Sequence, residues 1–214
     1  MSDYSRMIAV TNRHLFDDAK EPETAFLSQL ARLAGLSLKA VVLREKDLDE
    51  ESYTLLAARI LRLGTDESPV ICQDPAETAE YFRKHLIIHQ YPETALKLGI
   101  PRIHLPLFML TELHDRKPEV MKEFAAVGTS VHSVEDAKEA VRCGADWLFA
   151  GNVWETTCKP GLSGRGLQYL REVAESVSIP VYGIGGISEE RMPEVLKTGA
   201  AGGCMMSGFM QMKL

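Results

Sequence analysis

One histidine, His132, has a position suited to proton transfer. It ends the predicted strand Val127–His132 and lies in the segment GTSVHS (residues 128–133). Imidazole titrates near neutral pH, so a single side chain can take up a proton and return it. The alternative is a histidine that caps the next helix or bonds the backbone. His89 and His104, at the ends of other predicted strands, compete for the catalytic role.

Two glycine-rich stretches lie late in the chain. Gly185 and Gly186 follow one predicted strand, and Met206, Ser207 and Gly208 follow the last one. Glycine lets a backbone approach an anion closely, and in barrel proteins the loops after strands seven and eight often bind phosphate. Tight turns alone would explain one such stretch. Two of them predict a phosphate site built from Gly185, Gly186, Met206 and Ser207.

Basic residues gather at the same predicted edge. Arg44 and Lys46 follow the apolar run AVVL, and Lys159 and Arg165 lie in the loop KPGLSGRG. Solvated surface side chains are a sufficient explanation for Lys159 or Arg165 taken alone. In a protein of net charge −6, however, cations grouped at one rim favour an anionic ligand. We therefore include Arg44, Lys46 and Lys159 among the substrate-binding candidates.

Hydroxyl and sulfur groups complete the candidate ligand contacts. Thr156 and Thr157 can hydrogen-bond a polar ligand, and Ser130 lies in the same segment as His132. Cys158 has no evident partner base, so it is expected to line the pocket rather than act as a nucleophile. Trp154 could form one wall of a pocket for a flat ring, or could simply pack.

The elements that must position these residues are short β-branched runs that alternate with longer helical patterns. Such alternation predicts right-handed crossovers and a parallel sheet. A doubly wound sheet would require a glycine-rich turn after the first strand. The sequence there, TNRHLF, contains no glycine. We therefore predict an α/β fold, a compact single-domain (β/α)8 TIM barrel over residues 1–214, with strands over Ile8–Thr11, Leu38–Arg44, Leu86–His89, Arg102–Leu105, Val127–His132, Trp147–Gly151, Val181–Ile184 and Gly203–Met206.

The predicted helices fill the intervals between these strands. Val70–Cys72 is a competing strand, which we assign instead to an inserted connection around the helix Pro75–Lys84. After the last strand only SGFMQMKL remains, so either the closing helix is a single turn or a partner subunit covers the barrel there, with Phe209, Met210 and Met212 in the contact. The other helices are expected over Pro22–Leu33, Glu50–Leu63, Glu93–Leu98, Leu113–Phe124, Ser133–Cys143, Gly166–Ser176 and Glu189–Lys197.

Composition excludes several classes of protein. Apolar residues make up 45% and charged residues 25% of the 214, which is typical of a globular protein. The net negative charge disfavours binding to nucleic acid or to anionic membranes. No apolar run approaches the length needed to span a bilayer. None of the four cysteines lies in a CxxC pair, so neither a zinc site nor a disulfide scaffold is expected. No signal peptide is visible, and we expect a cytoplasmic protein, a homodimer, with no metal and no cofactor.

Five segments together resemble the thiamine phosphate synthase superfamily: LREKD (43–47), GTSVHS (128–133), GADWLFAGNVWETTCKPGLSGRG (144–166), IPVYGIGGI (179–187) and GCMMSG (203–208). In the synthase proper, two aspartates hold magnesium for the coupling of a pyrimidine diphosphate to a thiazole phosphate. At the corresponding places this chain has Gln90, after His89, and Met109, so synthase activity is not expected.

The segments SVHS and VWETTCK, followed by GLSGRG, resemble the thiazole tautomerase (TenI-like) branch of that superfamily. This resemblance implies an isomerase that acts on a carboxythiazole phosphate tautomer in thiamine biosynthesis, with His132 as its acid/base residue. The ligand would then be a small-molecule thiazole phosphate. Two alternatives remain: a thiamine phosphate synthase-like enzyme, and a non-catalytic regulatory barrel that binds a ligand of the thiamine pathway.

Overall fold

The structure is a computed structural model that describes residues 3–68, 70–156, 161 and 163–213. Eight parallel strands follow one another in chain order around a closed barrel. They are β1 (Met7–Val10), β2 (Ala40–Leu43), β3 (Leu86–His89), β4 (Arg102–Pro106), β5 (Ala126–Val131), β6 (Trp147–Gly151), β7 (Val181–Ile184) and β8 (Gly202–Met205). The predicted fold class, a (β/α)8 TIM barrel, is confirmed.

The helices of the described residues lie between the strands, after a short 3-10 helix over Arg13–Phe16. They are α1 (Pro22–Ala34), α2 (Glu50–Leu61), α3 (Pro75–His85), α4 (Pro92–Lys97), α5 (Leu107–Arg116), α6 (Pro118–Met121), α7 (Val134–Arg142), α8 (Gly166–Ser176), α9 (Met192–Leu196) and α10 (Ser207–Met210). None of the helices described is both long and apolar enough to cross a bilayer.

The described chain divides into two compact units, residues 3–100 with 206–213 (the first unit) and residues 101–205 (the second unit). That the whole chain forms one folding domain stays a prediction. In the first unit every residue of β1, β2 and β3 is buried. Parallel strands are covered on both faces, which explains why these segments are continuous apolar runs rather than alternating ones.

The end of the chain belongs to the first unit. Helix α10 is a single turn, as one of the two predicted alternatives required. Phe209 and Met210 are buried against their own unit, and the Gln29 amide on α1 donates to the Phe209 carbonyl at 2.7 Å. The suggestion that these two side chains contact a partner subunit is therefore wrong, because α1 and the N-terminal segment already cover them.

In the second unit, helix α7 begins where the sequence predicts. Ser133 is its N-cap, and the Ser133 hydroxyl accepts a hydrogen bond from the Asp136 N–H at 2.9 Å. The Asp136 carboxylate in turn accepts from the backbone N–H of His132 at 2.8 Å. Two backbone donors are satisfied at this helix start, which fixes the backbone of the candidate catalytic residue.

Two features differ in detail from the sequence expectation. Helix α5 begins at Leu107, directly after β4, instead of at Leu113, and Pro118 starts a separate short helix. The residue before this helix, Pro106, has no side chain that could cap it, so the sequence carries no signal for a helix start there.

Val70–Cys72 lies outside the strands, as predicted, and the Ile71 side chain is fully exposed.

Candidate active site

His132 follows β5 with an exposed side chain whose orientation is fixed. Its ring Nδ1 lies 2.8 Å from the carbonyl oxygen of Gly151, the last residue of β6. Because a carbonyl oxygen only accepts, Nδ1 carries the proton, and Nε2 of the neutral ring keeps a lone pair. The ring is therefore held as a base with its reactive nitrogen directed away from Gly151.

The loop after β7 presents three consecutive backbone N–H groups, those of Gly185, Gly186 and Ile187, which we call the amide cradle. The carbonyl that precedes each of these N–H groups has a hydrogen-bond donor. The Ile184 and Gly185 carbonyls accept from the N–H groups of Val153 (2.9 Å) and Trp154 (3.0 Å).

The third carbonyl, that of Gly186, accepts from Arg191 Nη1 at 2.6 Å. In a trans peptide the N–H points opposite to the C=O, so the N–H groups of the amide cradle face away from these donors. Within the second unit, no hydrogen bond between described residues uses them. Successive free N–H groups of this kind form an anion-binding concavity.

Glycine is required at both positions of this turn. Gly185 has φ +94° and Gly186 has φ +66°. A Cβ at Gly185 would lie 2.5 Å from the Cβ of Asn152, and one at Gly186 would lie 2.6 Å from the Cβ of Trp154. Glycine is therefore needed by the turn itself, as the tight-turn alternative expects, and close approach of this backbone to an anion stays a prediction.

The segment 151–154 at the end of β6 contacts both groups. The carbonyl of Gly151 holds the imidazole of His132, and the N–H groups of Val153 and Trp154 hold the loop after β7. The Asn152 amide donates to the Trp154 carbonyl at 3.2 Å and stabilises this short segment. A single piece of chain therefore positions the candidate base and the candidate phosphate site.

Ser130 lies on β5, two residues before His132, which follows the strand. The Ser130 hydroxyl is half-buried and lies 2.9 Å from Nε2 of His104. His104 is buried and stacks on Phe149, with the ring centroids 4.1 Å apart. His104 therefore supports Ser130 from the interior, which removes it from competition as a solvent-accessible base.

In the first unit, Arg44 and Lys46 follow β2. Arg44 is half-buried and Lys46 is exposed. Between them Glu45 is buried, and it accepts a hydrogen bond from the Thr11 hydroxyl at 2.5 Å and from the Arg13 backbone N–H at 3.1 Å. The Thr11 hydroxyl also accepts from the Arg44 N–H at 2.9 Å. Glu45 thus turns inward and anchors the loop that carries Arg44 and Lys46.

Burial raises the pKa of Glu45, although the hydrogen bonds from Thr11 and Arg13 act in the opposite direction. His89, at the end of β3, shows the converse effect. Its side chain is 6% exposed, and burial, reinforced by the charges of Arg44 and Lys46, lowers the pKa of His89 to about 3. His89 is neutral at physiological pH, and a ring that resists protonation this strongly is a poor general base.

The remaining predicted site residues have the following places. Thr156 is half-buried in the second unit, whereas Thr157, Cys158 and Lys159 lie outside the described residues. Met206 and Ser207 belong to the first unit, as the N-cap and first residue of α10. Their part in a phosphate site stays a prediction.

Sequence reasoning missed Arg191, Asn152 and the pairing of His104 with Ser130. Asn152 could have been suspected from its place directly after β6. For Arg191 the sequence carries no signal, because its contact depends on the positive φ values of the glycine turn.

The places at which the superfamily's synthase carries magnesium-binding aspartates hold Gln90 and Met109. Gln90 has φ +61° and directly follows β3, and Met109 lies in the first turn of α5. A thioether is a poor ligand for a hard cation, and one amide oxygen is a weak substitute for a carboxylate. Among the residues described, no three His, Cys, Asp or Glu side chains gather as a metal site would require. The residues at these places therefore do not fit magnesium.

Comparison with known proteins identifies the family. Residues 7–209 match the family model described as thiamine monophosphate synthase. A thiamine-phosphate synthase of Thermus thermophilus is 32% identical over 179 residues, which cover 82% of this chain and 77% of that protein. One of Clostridium acetobutylicum is 30% identical over 176 residues, covering 79% and 82% of the two chains.

A solved structure agrees with this assignment. The thiamine phosphate pyrophosphorylase from Pyrococcus furiosus superimposes with a TM-score of 0.66 at 25% identity, covering 99% of this chain and 90% of that one. With the family model spanning almost the whole sequence, the chain belongs to the thiamine monophosphate synthase family.

Proposed function

We propose that this member of the family is a thiazole tautomerase, an isomerase that moves a proton within a carboxythiazole phosphate. A proton leaves the ring carbon C2, and a proton arrives at the exocyclic alkylidene carbon, so the ring becomes aromatic and the atoms balance. The observation that carries the proposal is the exposed imidazole of His132, oriented by the Gly151 carbonyl.

His132 would take the proton from C2 at Nε2. Its Nδ1 proton, held by the Gly151 oxygen, stabilises the imidazolium that forms, since that hydrogen bond strengthens when the ring becomes charged. The same imidazolium can then return a proton to the exocyclic carbon. General acid–base help of this kind is typically worth about 10²- to 10⁴-fold in rate.

The phosphate of the substrate would bind the amide cradle. A phosphate monoester dianion offers several acceptor oxygens, which suits a run of consecutive N–H groups. The ring carboxylate needs a cation, and on the sequence argument alone Arg44, Lys46 and Lys159 are the candidates. Thr156, Thr157, Cys158, Ser130, Met206 and Ser207 are proposed ligand contacts on the sequence argument alone.

The reaction itself needs neither a metal ion nor a redox group, because no diphosphate is expelled and no electron is transferred. This agrees with Gln90 and Met109 at the places where the synthase carries aspartates. We further propose that the enzyme works as a homodimer in the cytoplasm.

A second candidate is thiamine phosphate synthase activity, which is favoured by the names of the relatives from Thermus thermophilus and Clostridium acetobutylicum. It would require magnesium at the positions of Gln90 and Met109, whose side chains do not fit that ion. The two candidates therefore predict opposite responses to magnesium.

The deciding experiment assays the purified protein for both reactions. In one arm the carboxythiazole phosphate tautomer is supplied and its conversion to the aromatic isomer is followed by NMR with EDTA present. In the other arm the pyrimidine diphosphate and the thiazole phosphate are mixed with magnesium. Conversion in the first arm alone supports the tautomerase, coupling in the second arm alone supports the synthase, and neither reaction supports a non-catalytic ligand-binding barrel.

A further inference from the structure

Arg191 links the two loops that shape the candidate phosphate site. Its side chain is exposed, and its guanidinium carbon lies 4.8 Å from the centroid of the Trp154 ring. Its Nη1 donates to the Gly186 carbonyl at 2.6 Å. Trp154 belongs to the loop after β6 and Gly186 to the loop after β7, so one side chain contacts both.

The contact with Gly186 fixes the orientation of one peptide plane. The carbonyls of Ile184 and Gly185 are held by backbone N–H groups, whereas that of Gly186 is held by a side chain. Glycine imposes little restriction on the rotation of its own peptide. Since the N–H of Ile187 belongs to the same peptide as the Gly186 carbonyl, holding the carbonyl sets the direction of that N–H.

Trp154 determines where the guanidinium can lie. A Cβ at Gly186 would be 2.6 Å from the Trp154 Cβ and 3.3 Å from Arg191 Nη1, so glycine, indole and guanidinium pack together without spare room. The cation over the ring face adds an attraction that is independent of the hydrogen bond. The two contacts together restrict an otherwise flexible arginine to one position.

We propose that Arg191 is a positioning residue for phosphate: stacked on Trp154, it holds the Gly186 carbonyl so that the Ile187 N–H faces a bound phosphate monoester. This rests on the proposed phosphate-binding role of the amide cradle. The rival explanation is that the guanidinium swings away and binds the phosphate directly through its charge.

The test is the affinity of the full-length protein for inorganic phosphate, followed through its backbone amide resonances in ¹H–¹⁵N NMR spectra. The variants are Arg191→Ala, Trp154→Leu and the double variant. Arg171→Ala is the matched control, because Arg171 is also exposed and also donates to a backbone carbonyl, that of Lys197, at 2.9 Å, but does so between α8 and the end of α9.

We expect Arg191→Ala and Trp154→Leu each to weaken phosphate binding about tenfold, the scale of one hydrogen bond to a charged group. The double variant should be no weaker than either single one, because the two residues act as a unit. In Arg191→Ala the phosphate-induced shift of the Ile187 amide should shrink while that of Gly185 persists. Arg171→Ala should bind as the parent does.

Several outcomes would overturn the proposal. They are a parent protein that does not bind phosphate at the amide cradle, an Arg191→Ala variant of unchanged affinity, and a loss confined to Arg191→Ala with Trp154→Leu unaffected, which would indicate direct charge pairing. Because the readout is binding, it is independent of turnover. If the variants show these losses of phosphate affinity but the parent has no isomerase activity, the role of Arg191 stands and the proposed function is wrong.

Discussion

His132 and His89 both occur where a strand of the barrel ends, and their surroundings differ in almost every respect. His132 is exposed, and a carbonyl oxygen orients its ring. His89 is buried beside the charges of Arg44 and Lys46, which together with burial lower its pKa to about 3. Position at a strand end is therefore not sufficient for acid–base chemistry, and solvent access and neighbouring charge decide which histidine can serve.

Replacing His132 should have the largest effect. In His132→Ala the base is lost while the phosphate site remains, so kcat for tautomer conversion should fall by about 10²- to 10⁴-fold with little change in KM. The matched control is His85→Gln, since Nδ1 of His85 also lies 3.0 Å from a backbone carbonyl, that of Lys39, at the start of β3. Equal losses in both variants would contradict the assignment.

For His89 the expected effect is on the pH dependence of stability. An unfolded chain protonates His89 near its ordinary pKa of 6.5, whereas the folded chain resists protonation until about pH 3. The free energy of unfolding should therefore decrease by about 2 kcal/mol between pH 7 and pH 5 on account of this ring. Urea unfolding at both pH values measures it.

The variant His89→Asn removes this titrating group, so its unfolding free energy should vary less between pH 7 and pH 5 than that of the parent. An exposed control is His14→Gln, because the hydrogen bond that His14 donates to Asp17 raises the pKa of His14 and gives the opposite sign. An identical pH dependence in the parent and in His89→Asn would show that the ring is not shielded.

A smaller effect is expected from filling the glycine turn. Gly186→Ala places a Cβ 2.6 Å from Trp154 and retains φ +66°, whereas Gly99→Ala has the same backbone cost at φ +65° with nothing within 4 Å. Gly186→Ala should thus lower the free energy of unfolding by about 1–2 kcal/mol more than Gly99→Ala, and it should also raise KM. If the two variants had equal free energies of unfolding, the loop after β7 would have to move freely enough to accommodate the added methyl group.

The smallest expected effect concerns the cation that pairs with the substrate carboxylate. Arg44→Gln should raise KM about fivefold, since a half-buried guanidinium contributes modestly to binding a charged group. Arg59→Gln, which removes another arginine of the first unit that pairs with Glu23, is the control. An unchanged KM in Arg44→Gln would transfer the role to Lys46 or Lys159.

Much of the fold could be predicted from the sequence because its signals are local. Buried parallel strands are continuous apolar runs, and Ser133 marks the start of α7, so both were predicted correctly. The start of α5 was missed, because no capping side chain precedes Leu107. A partner contact for Phe209 and Met210 was left open as one of two alternatives, because sequence does not show that α1 lies close enough to cover them.

The sequence predicts the residue types of the candidate site better than their arrangement. His132, Gly185 and Gly186 could be chosen because imidazole chemistry and positive-φ turns depend on residue identity. The bond from His132 to Gly151, and that from Arg191 to Gly186, could not be predicted, since both join residues of different loops. Tertiary geometry alone brings such groups together.

The most direct test of the central claim is a long-range ¹H–¹⁵N NMR spectrum of the histidine rings, recorded with and without the aromatic thiazole carboxylate phosphate. The account predicts that His132 carries its proton on Nδ1, and that its Nε2 resonance shifts when the ligand is added while the ring resonances of His85 stay in place. A His132 ring protonated on Nε2, or one whose resonances do not respond to the ligand, would contradict it.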